Sequence, residues 1–125
     1  MKKVNSSLLF LVPGLFLLNL SVSGQEAPGV SPSLPDNVRK IVTSSCMPCH
    51  SQDGRLLSRL KLNFTVWEQY SPGKQKTKAE KMYSLLDKGE MPPKKAREAK
   101  PENIPTRNQI ETIKKWAESL PSADK

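Results

Sequence analysis

The sequence contains only two cysteines and one histidine among its 125 residues. So small a set excludes a disulfide-rich framework, and it is one short of the four Cys or His ligands of a typical structural zinc site. Apolar residues are also scarce beyond the N-terminus: 13 of the first 24 residues are hydrophobic, against 32 of the remaining 101. The body can form one small domain but has little apolar material for a self-sufficient core. We therefore expect something besides aliphatic side chains to stabilise it.

Residues 1–24 have the features of a secretory signal peptide. Two lysines precede an apolar stretch over residues 8–18, and small residues follow as far as Gly24. Cleavage is expected near Ser23 or Gly24. An uncleaved anchor is disfavoured, because a spanning helix needs about 20 apolar residues and Pro13 interrupts this stretch. The mature protein is expected outside the cytoplasm, without a stable membrane span.

The remaining chain divides by composition into three parts. Residues 25–35 are predicted to be a flexible Pro/Ser-rich linker, residues 36–121 a domain, and residues 122–125 a C-terminal tail. Within the domain, apolar residues recur at helical spacing, and no segment alternates apolar and polar residues as a half-buried strand does. The sequence therefore predicts an all-α fold.

Local signals give approximate helix limits. The spacing predicts a helix from Asp36 to about Ser45 and a short helical turn within residues 63–70, whereas residues 52–62 are not assigned. Capping-box spacing predicts that the next helix begins at Thr77 and the last one at Thr106. Gly89 and Pro121 are the expected ends of these two helices, and a basic loop is expected between them.

Both cysteines and the histidine fall within five residues, Cys46-Met47-Pro48-Cys49-His50. The spacing C-x-x-C-H is the attachment motif for c-type haem. Two thiols on one helical turn can form thioether bonds to the two vinyl groups of a porphyrin, and the adjacent imidazole can ligate iron through Nε2. In that arrangement Nδ1–H is held by a carbonyl or another acceptor. The motif predicts one covalently bound haem c.

Two other interpretations of the cysteine pair remain open. A thioredoxin-like dithiol is expected near a βαβ pattern, which this sequence lacks. A plain disulfide between Cys46 and Cys49 suits an oxidising compartment, but it leaves the adjacent His50 as a coincidence.

Met91 is the predicted second axial ligand of the iron. Met47 lies inside the attachment motif, and Met82 falls on the apolar face of its helix, where a core role is expected. Met91 precedes two prolines, which favour an extended backbone at Met91 and stiffen the loop. Lys94 or Lys95 is a candidate replacement ligand at alkaline pH.

Several further residues are candidates for contacts with the haem. Those considered for the propionates are Arg55, Arg59, Trp67 and Tyr70, and those expected to line the macrocycle are Leu56, Leu60, Phe64, Leu85 and Leu86.

The haem motif, Leu62-Asn63-Phe64-Thr65-Val66-Trp67 and Gly89-Glu90-Met91-Pro92-Pro93 together resemble the small bacterial haem-binding-domain family of monohaem c-type cytochromes. The resemblance covers about residues 34–120. It implies a cytochrome c-like helical fold around one covalent haem, His50 and Met91 as axial ligands, and a Gram-negative periplasmic location. Longer family members have extra residues between the haem motif and the L-N-F-x-x-W element.

The expected function is the transfer of single electrons between redox partners, without substrate turnover. His/Met ligation saturates the iron, so neither oxidation state needs to gain or lose a ligand. Nine basic and four acidic residues between Lys74 and Lys100 favour partners with acidic docking surfaces, and export disfavours nucleic-acid binding. The alternative is a haem-based ligand sensor or a peroxidase-like enzyme in which Met91 is displaceable.

Overall fold

The computed structural model describes residues 31–122, and within this range the chain forms helices and no strand. The six α-helices are α1 (Asp36–Ile41), α2 (Met47–His50), α3 (Leu56–Lys61), α4 (Pro72–Asp87), α5 (Lys94–Ala99) and α6 (Arg107–Ser119). A π-helical turn occupies Val42–Cys46, and two 3₁₀ segments occupy Phe64–Gln69 and Pro101–Asn103. The predicted all-α class is confirmed.

The predicted signal peptide, the first six residues of the linker and tail residues 123–125 lie outside the described residues. Of the helices within residues 31–122, none combines the length and the apolar character that crossing a bilayer requires.

The first helical run is longer than the sequence predicted. The prediction ended near Ser45, but α1, the π-helical turn and α2 follow one another without a break as far as His50. Val38, Ile41 and Val42 are buried along this run. Because these side chains are buried, the helical run is held against the core. This sets the orientation of its last turn, which contains the haem motif.

The predicted start of α4 at Thr77 is wrong. The helix begins at Pro72, where the Ser71 side chain accepts a hydrogen bond from the backbone N–H of Lys74. Proline suits the first helical position because its missing N–H would have no partner there. The Thr77 hydroxyl instead donates to the Gly73 carbonyl within the helix. The capping box at Thr106 and the stop after α4 are confirmed, since Thr106 caps α6 and Gly89 has a φ of +69°.

The basic loop predicted after Met91 is also wrong in part. Residues 94–99 form α5, and the backbone N–H groups of Ala96 and Arg97 bond to the Pro93 carbonyl at 2.9 and 3.0 Å. Pro93 is the residue before the helix, where proline is tolerated. The lysine-rich segment that was predicted to be a loop is therefore a short helix without a buried residue.

The core lies where α1, α4, α6 and the first 3₁₀ segment meet. Ile113 and Val38 are completely buried, and the Trp67 and Trp116 rings lie 5.2 Å apart between centroids. Val42 and Trp116 belong to the same core, and α1 contacts α6.

The end of the predicted linker contacts the domain. Residues 31–35 form no helix, but the Pro32 carbonyl accepts hydrogen bonds from Trp67 Nε1 at 3.1 Å and from Gln75 Nε2 at 3.0 Å. Gln75 is fully buried, and its Nε2 also donates to the Trp67 carbonyl at 3.0 Å. The flexibility expected from composition therefore does not apply to Pro32, which closes one side of the core.

Candidate functional site

A cavity of about 340 Å³ lies between the haem motif, the end of α4 and α5. All four predicted site residues line it: Cys46, Cys49, His50 and Met91. Apolar side chains form most of the remaining wall, including Leu62, Phe64, Met82, Leu86, Pro92 and Ala96. The fold thus brings Met91, which lies 41 positions after His50 in the sequence, to the same space as both thiols and the imidazole.

The two thiols are held at the junction of the π-helical turn and α2. Cys46 and Cys49 are half-buried and are not bonded to each other. Burial raises the pKa of the Cys46 thiol to about 12, and the neighbouring Cys49 adds to the rise. Cys46 therefore stays protonated at neutral pH and is not the low-pKa thiol on which a redox-active dithiol depends.

His50 is oriented by two backbone carbonyls. Its Nδ1 lies 3.1 Å from the Ser58 carbonyl oxygen and 3.0 Å from that of Leu62. A carbonyl can only accept, so Nδ1 carries a proton, and in the neutral imidazole the free lone pair is then on Nε2. Nε2 makes no hydrogen bond within residues 31–122. The ring is therefore held in the tautomer that a metal-ligating histidine requires.

The turn between α2 and α3 depends on a glycine. A Cβ built at Gly54 would lie 2.6 Å from the Cys49 carbonyl carbon, closer than real side chains approach. The Gly54 N–H donates to the Ser51 carbonyl at 3.0 Å. This close approach lets α3 return beside the haem motif, where it supplies the Ser58 carbonyl to His50.

Met91 is half-buried in a loop that is tied down at three points. The N–H groups of Glu90 and Met91 donate to the Leu85 carbonyl at 2.9 and 3.3 Å. Arg97 Nη1 donates to the Gly89 carbonyl at 2.9 Å from α5. The Met91–Pro92 peptide bond is cis. Arg97 was not predicted as a site residue, because only the unexpected helix α5 brings it back to this loop.

The lysines proposed as replacement ligands are placed differently. Lys94 lies 3.8 Å from Glu98 in an exposed ion pair, and Lys95 is exposed; neither lines the cavity. The lysine that does line it is Lys100, together with Asn103. No sequence pattern indicated these two residues, which come to the cavity through α5 and the 3₁₀ turn that follows it.

Only one of the propionate candidates reaches the cavity. Arg55 lines it, whereas Arg59 donates to the Gln52 carbonyl outside it. Trp67 is buried in the core, and the Tyr70 hydroxyl accepts a hydrogen bond from the Asn63 N–H at 3.0 Å. The side chains of Trp67 and Tyr70 therefore stabilise the first 3₁₀ segment.

The predicted apolar lining is correct in part. Phe64 and Leu86 line the cavity, but Leu56, Leu60 and Leu85 do not. Leu56 and Leu60 are 57% and 70% exposed, whereas the Ser58 carbonyl of the same helix contacts His50 Nδ1. Met82, predicted for the core, is buried there and also lines the cavity.

A family model described as a haem-binding domain matches residues 56–119 of the chain. The match covers slightly more than half of the 125 residues and begins after His50, so it is independent of the C-x-x-C-H motif. No curated protein and no solved structure is significantly similar to the chain.

Proposed function

Because the chain belongs to the haem-binding domain family and binds haem, we propose that it is a monohaem c-type cytochrome. Thioether bonds to Cys46 and Cys49 attach the haem, and His50 and Met91 are the axial ligands of the iron. The protein carries single electrons between redox partners and turns over no substrate of its own. It acts in the periplasm after removal of residues 1–24.

The observation that carries this proposal is the donor set of the cavity. Two unpaired thiols, an imidazole with Nδ1 bound to carbonyls and a thioether on a restrained loop all line one mainly apolar space. These residues fit haem c: thiols for the vinyl groups, a nitrogen and a sulfur for the iron, and apolar walls for the ring. The haem, when bound, supplies the one-electron chemistry.

The attachment is tested by pyridine haemochrome analysis of protein made with haem-maturation machinery. We expect one haem per chain and the spectrum of two thioether bonds. Cys46→Ser and Cys49→Ser should each give the spectrum of a single thioether bond, and the double substitution should leave no covalent haem. Wild-type protein without covalent haem would contradict the proposal.

The role of Met91 is tested separately. Met91→Ala should remove the Met–iron charge-transfer band and allow carbon monoxide to bind the ferrous protein. Met82→Leu is the control, because this thioether also lines the cavity but is buried in the core. A wild-type protein that binds carbon monoxide readily would instead favour the ligand sensor or peroxidase-like enzyme.

Support for docking to an acidic partner comes from the charge around the loop of Met91. Residues 74–100 carry nine basic and four acidic side chains, a local net charge of +5. Opposite charge accelerates encounter most strongly at low salt. Electron-transfer rates with the partner should fall as ionic strength rises, and rates independent of salt would exclude this surface.

Export rests on the sequence of residues 1–24. Mass spectrometry of the protein purified from the periplasm should find a mature N-terminus next to Ser23 or Gly24. A protein retained in the cytoplasm with an intact N-terminus would contradict the proposed location.

A further inference from the structure

Charge is distributed unevenly around the cavity. Its lining contains two cationic side chains, Arg55 and Lys100, and no aspartate or glutamate among the described residues. Both cations are exposed, so they lie where the cavity meets solvent. An apolar space with cations only at its opening suits an occupant with an apolar body and an anionic end.

Neither cation has a partner in residues 31–122. No ion pair or side-chain hydrogen bond engages Arg55 or Lys100 in this part of the chain. Other cations close to the same elements are engaged: Arg59 donates to Gln52, Lys78 to Lys61, and Arg97 to Gly89. The two that line the cavity are thus available to the occupant.

The backbone holds both residues in place. Arg55 is the residue before α3, and its carbonyl accepts from Arg59 N–H at 3.0 Å. Lys100 joins α5 to the 3₁₀ turn: its N–H donates to Ala96 at 2.9 Å and its carbonyl accepts from Asn103 at 3.1 Å. Asn103 also lines the cavity and adds a neutral donor beside Lys100.

We propose that Arg55 and Lys100, with the Asn103 amide, are positioning residues that bind the two propionate carboxylates of the haem. This inference rests on the proposed function. Two anions match two cations, and charge-assisted hydrogen bonds to carboxylates are stronger than neutral ones. The contacts hold the propionate edge at the opening of the cavity, while the two cysteines hold the vinyl edge.

The positive charges also affect the haem potential. A cation near the macrocycle stabilises the reduced iron, which carries one positive charge less than the oxidised iron. Removing Arg55 or Lys100 leaves a carboxylate uncompensated and should lower the midpoint potential. This fall in midpoint potential should be larger than the fall caused by removing one positive charge far from the cavity.

The experiment is a potentiometric titration of the holoprotein with Arg55→Gln, Lys100→Gln and both together. Lys40→Gln and Lys115→Gln are the controls, since both residues are exposed and neither lines the cavity. We expect lower midpoint potentials in the single variants than in the controls, and the largest fall in the double variant. The propionate methylene resonances in the paramagnetic proton NMR spectrum should shift only in the Arg55 and Lys100 variants.

Charge-conserving variants separate this role from a structural one. Arg55→Lys and Lys100→Arg should keep the potential close to that of the wild type. The inference is overturned if the glutamine variants match the controls, or if the charge-conserving variants shift as far as the glutamine variants. Haemochrome analysis of the same samples tests the proposed function: wild-type protein without covalent haem ends both ideas, whereas normal haem content with unshifted potentials ends only this one.

Discussion

Helices α1, α4 and α6 bury apolar side chains against one another, whereas α2, α3 and α5 have no buried residue. We refer to the first group as the packed half and to the second as the cavity half. The packed half contains Val38 and Ile113, both without solvent exposure. Together with the end of α4, the cavity half surrounds the candidate haem site.

The core formed by amino-acid side chains ends at the boundary between the packed half and the cavity half. Apolar burial is the main favourable term in folding, so elements that bury nothing need another source of stability. A bound haem supplies apolar surface to the cavity half, and a ligand bound only by the native state stabilises that state.

Withholding haem should have the largest effect. Protein made without haem maturation should be largely unfolded, because the cavity half then has no partner and the packed half is small. Circular dichroism during thermal melting measures this, with the holoprotein as reference. A compact apoprotein that melts cooperatively would show that the amino-acid core suffices.

Truncation of an apolar side chain should distinguish the halves in the holoprotein. Ile113→Ala should lower the free energy of unfolding by about 2–5 kcal/mol, because it leaves a cavity in a fully buried position. Leu57→Ala in α3 is the control and should change it by less than about 0.5 kcal/mol, since Leu57 is 74% exposed. Denaturant titration gives both values. Equal losses would contradict the division.

Gly54→Ala should damage the cavity half selectively. The added methyl group collides with the Cys49 backbone, and such overpacking costs about 1–3 kcal/mol. We expect a lower free energy of unfolding and less covalent haem per chain in the haemochrome analysis. Asp53→Ala, an exposed neighbour in the same turn, is the control. Normal haem content in Gly54→Ala would mean that the turn can shift without moving His50.

Arg97→Gln should have the smallest effect and a local one. The substitution removes the hydrogen bond to the Gly89 carbonyl and loosens the loop of Met91. We expect the free energy of unfolding to fall by about 0.5–1.5 kcal/mol. The Met–iron charge-transfer band should disappear at a lower pH or temperature than in Lys115→Gln, which removes the same charge from an exposed position in α6. An identical loss in both variants would assign the effect to charge alone.

Much of the site could be predicted from the sequence because its chemistry is local. The C-x-x-C-H spacing places two thiols and an imidazole on adjacent helical turns, and the prolines after Met91 mark a stiff loop. The capping box at Thr106 was likewise readable, because it lies within four consecutive residues.

The errors arose where a distant contact or a stronger local signal decided. Ser71 and Pro72 open α4 ahead of Thr77, although Thr77 and Glu80 have the spacing of a capping box. The leucines of α3 follow a helical pattern, yet α3 faces His50 with its carbonyls and leaves Leu56 and Leu60 exposed. Periodicity indicates that a helix has an apolar face but does not give its neighbour.

The helical class, the haem motif and the choice of Met91 as a candidate ligand follow from local sequence patterns. Folding adds that the carbonyls of Ser58 and Leu62 orient His50, that Arg97 restrains the loop of Met91, and that Arg55 and Lys100 lie at the cavity. Motif chemistry is predictable because it depends on spacing within a few residues. Orientation, burial and charge around a cavity depend on backbone groups that only folding brings together.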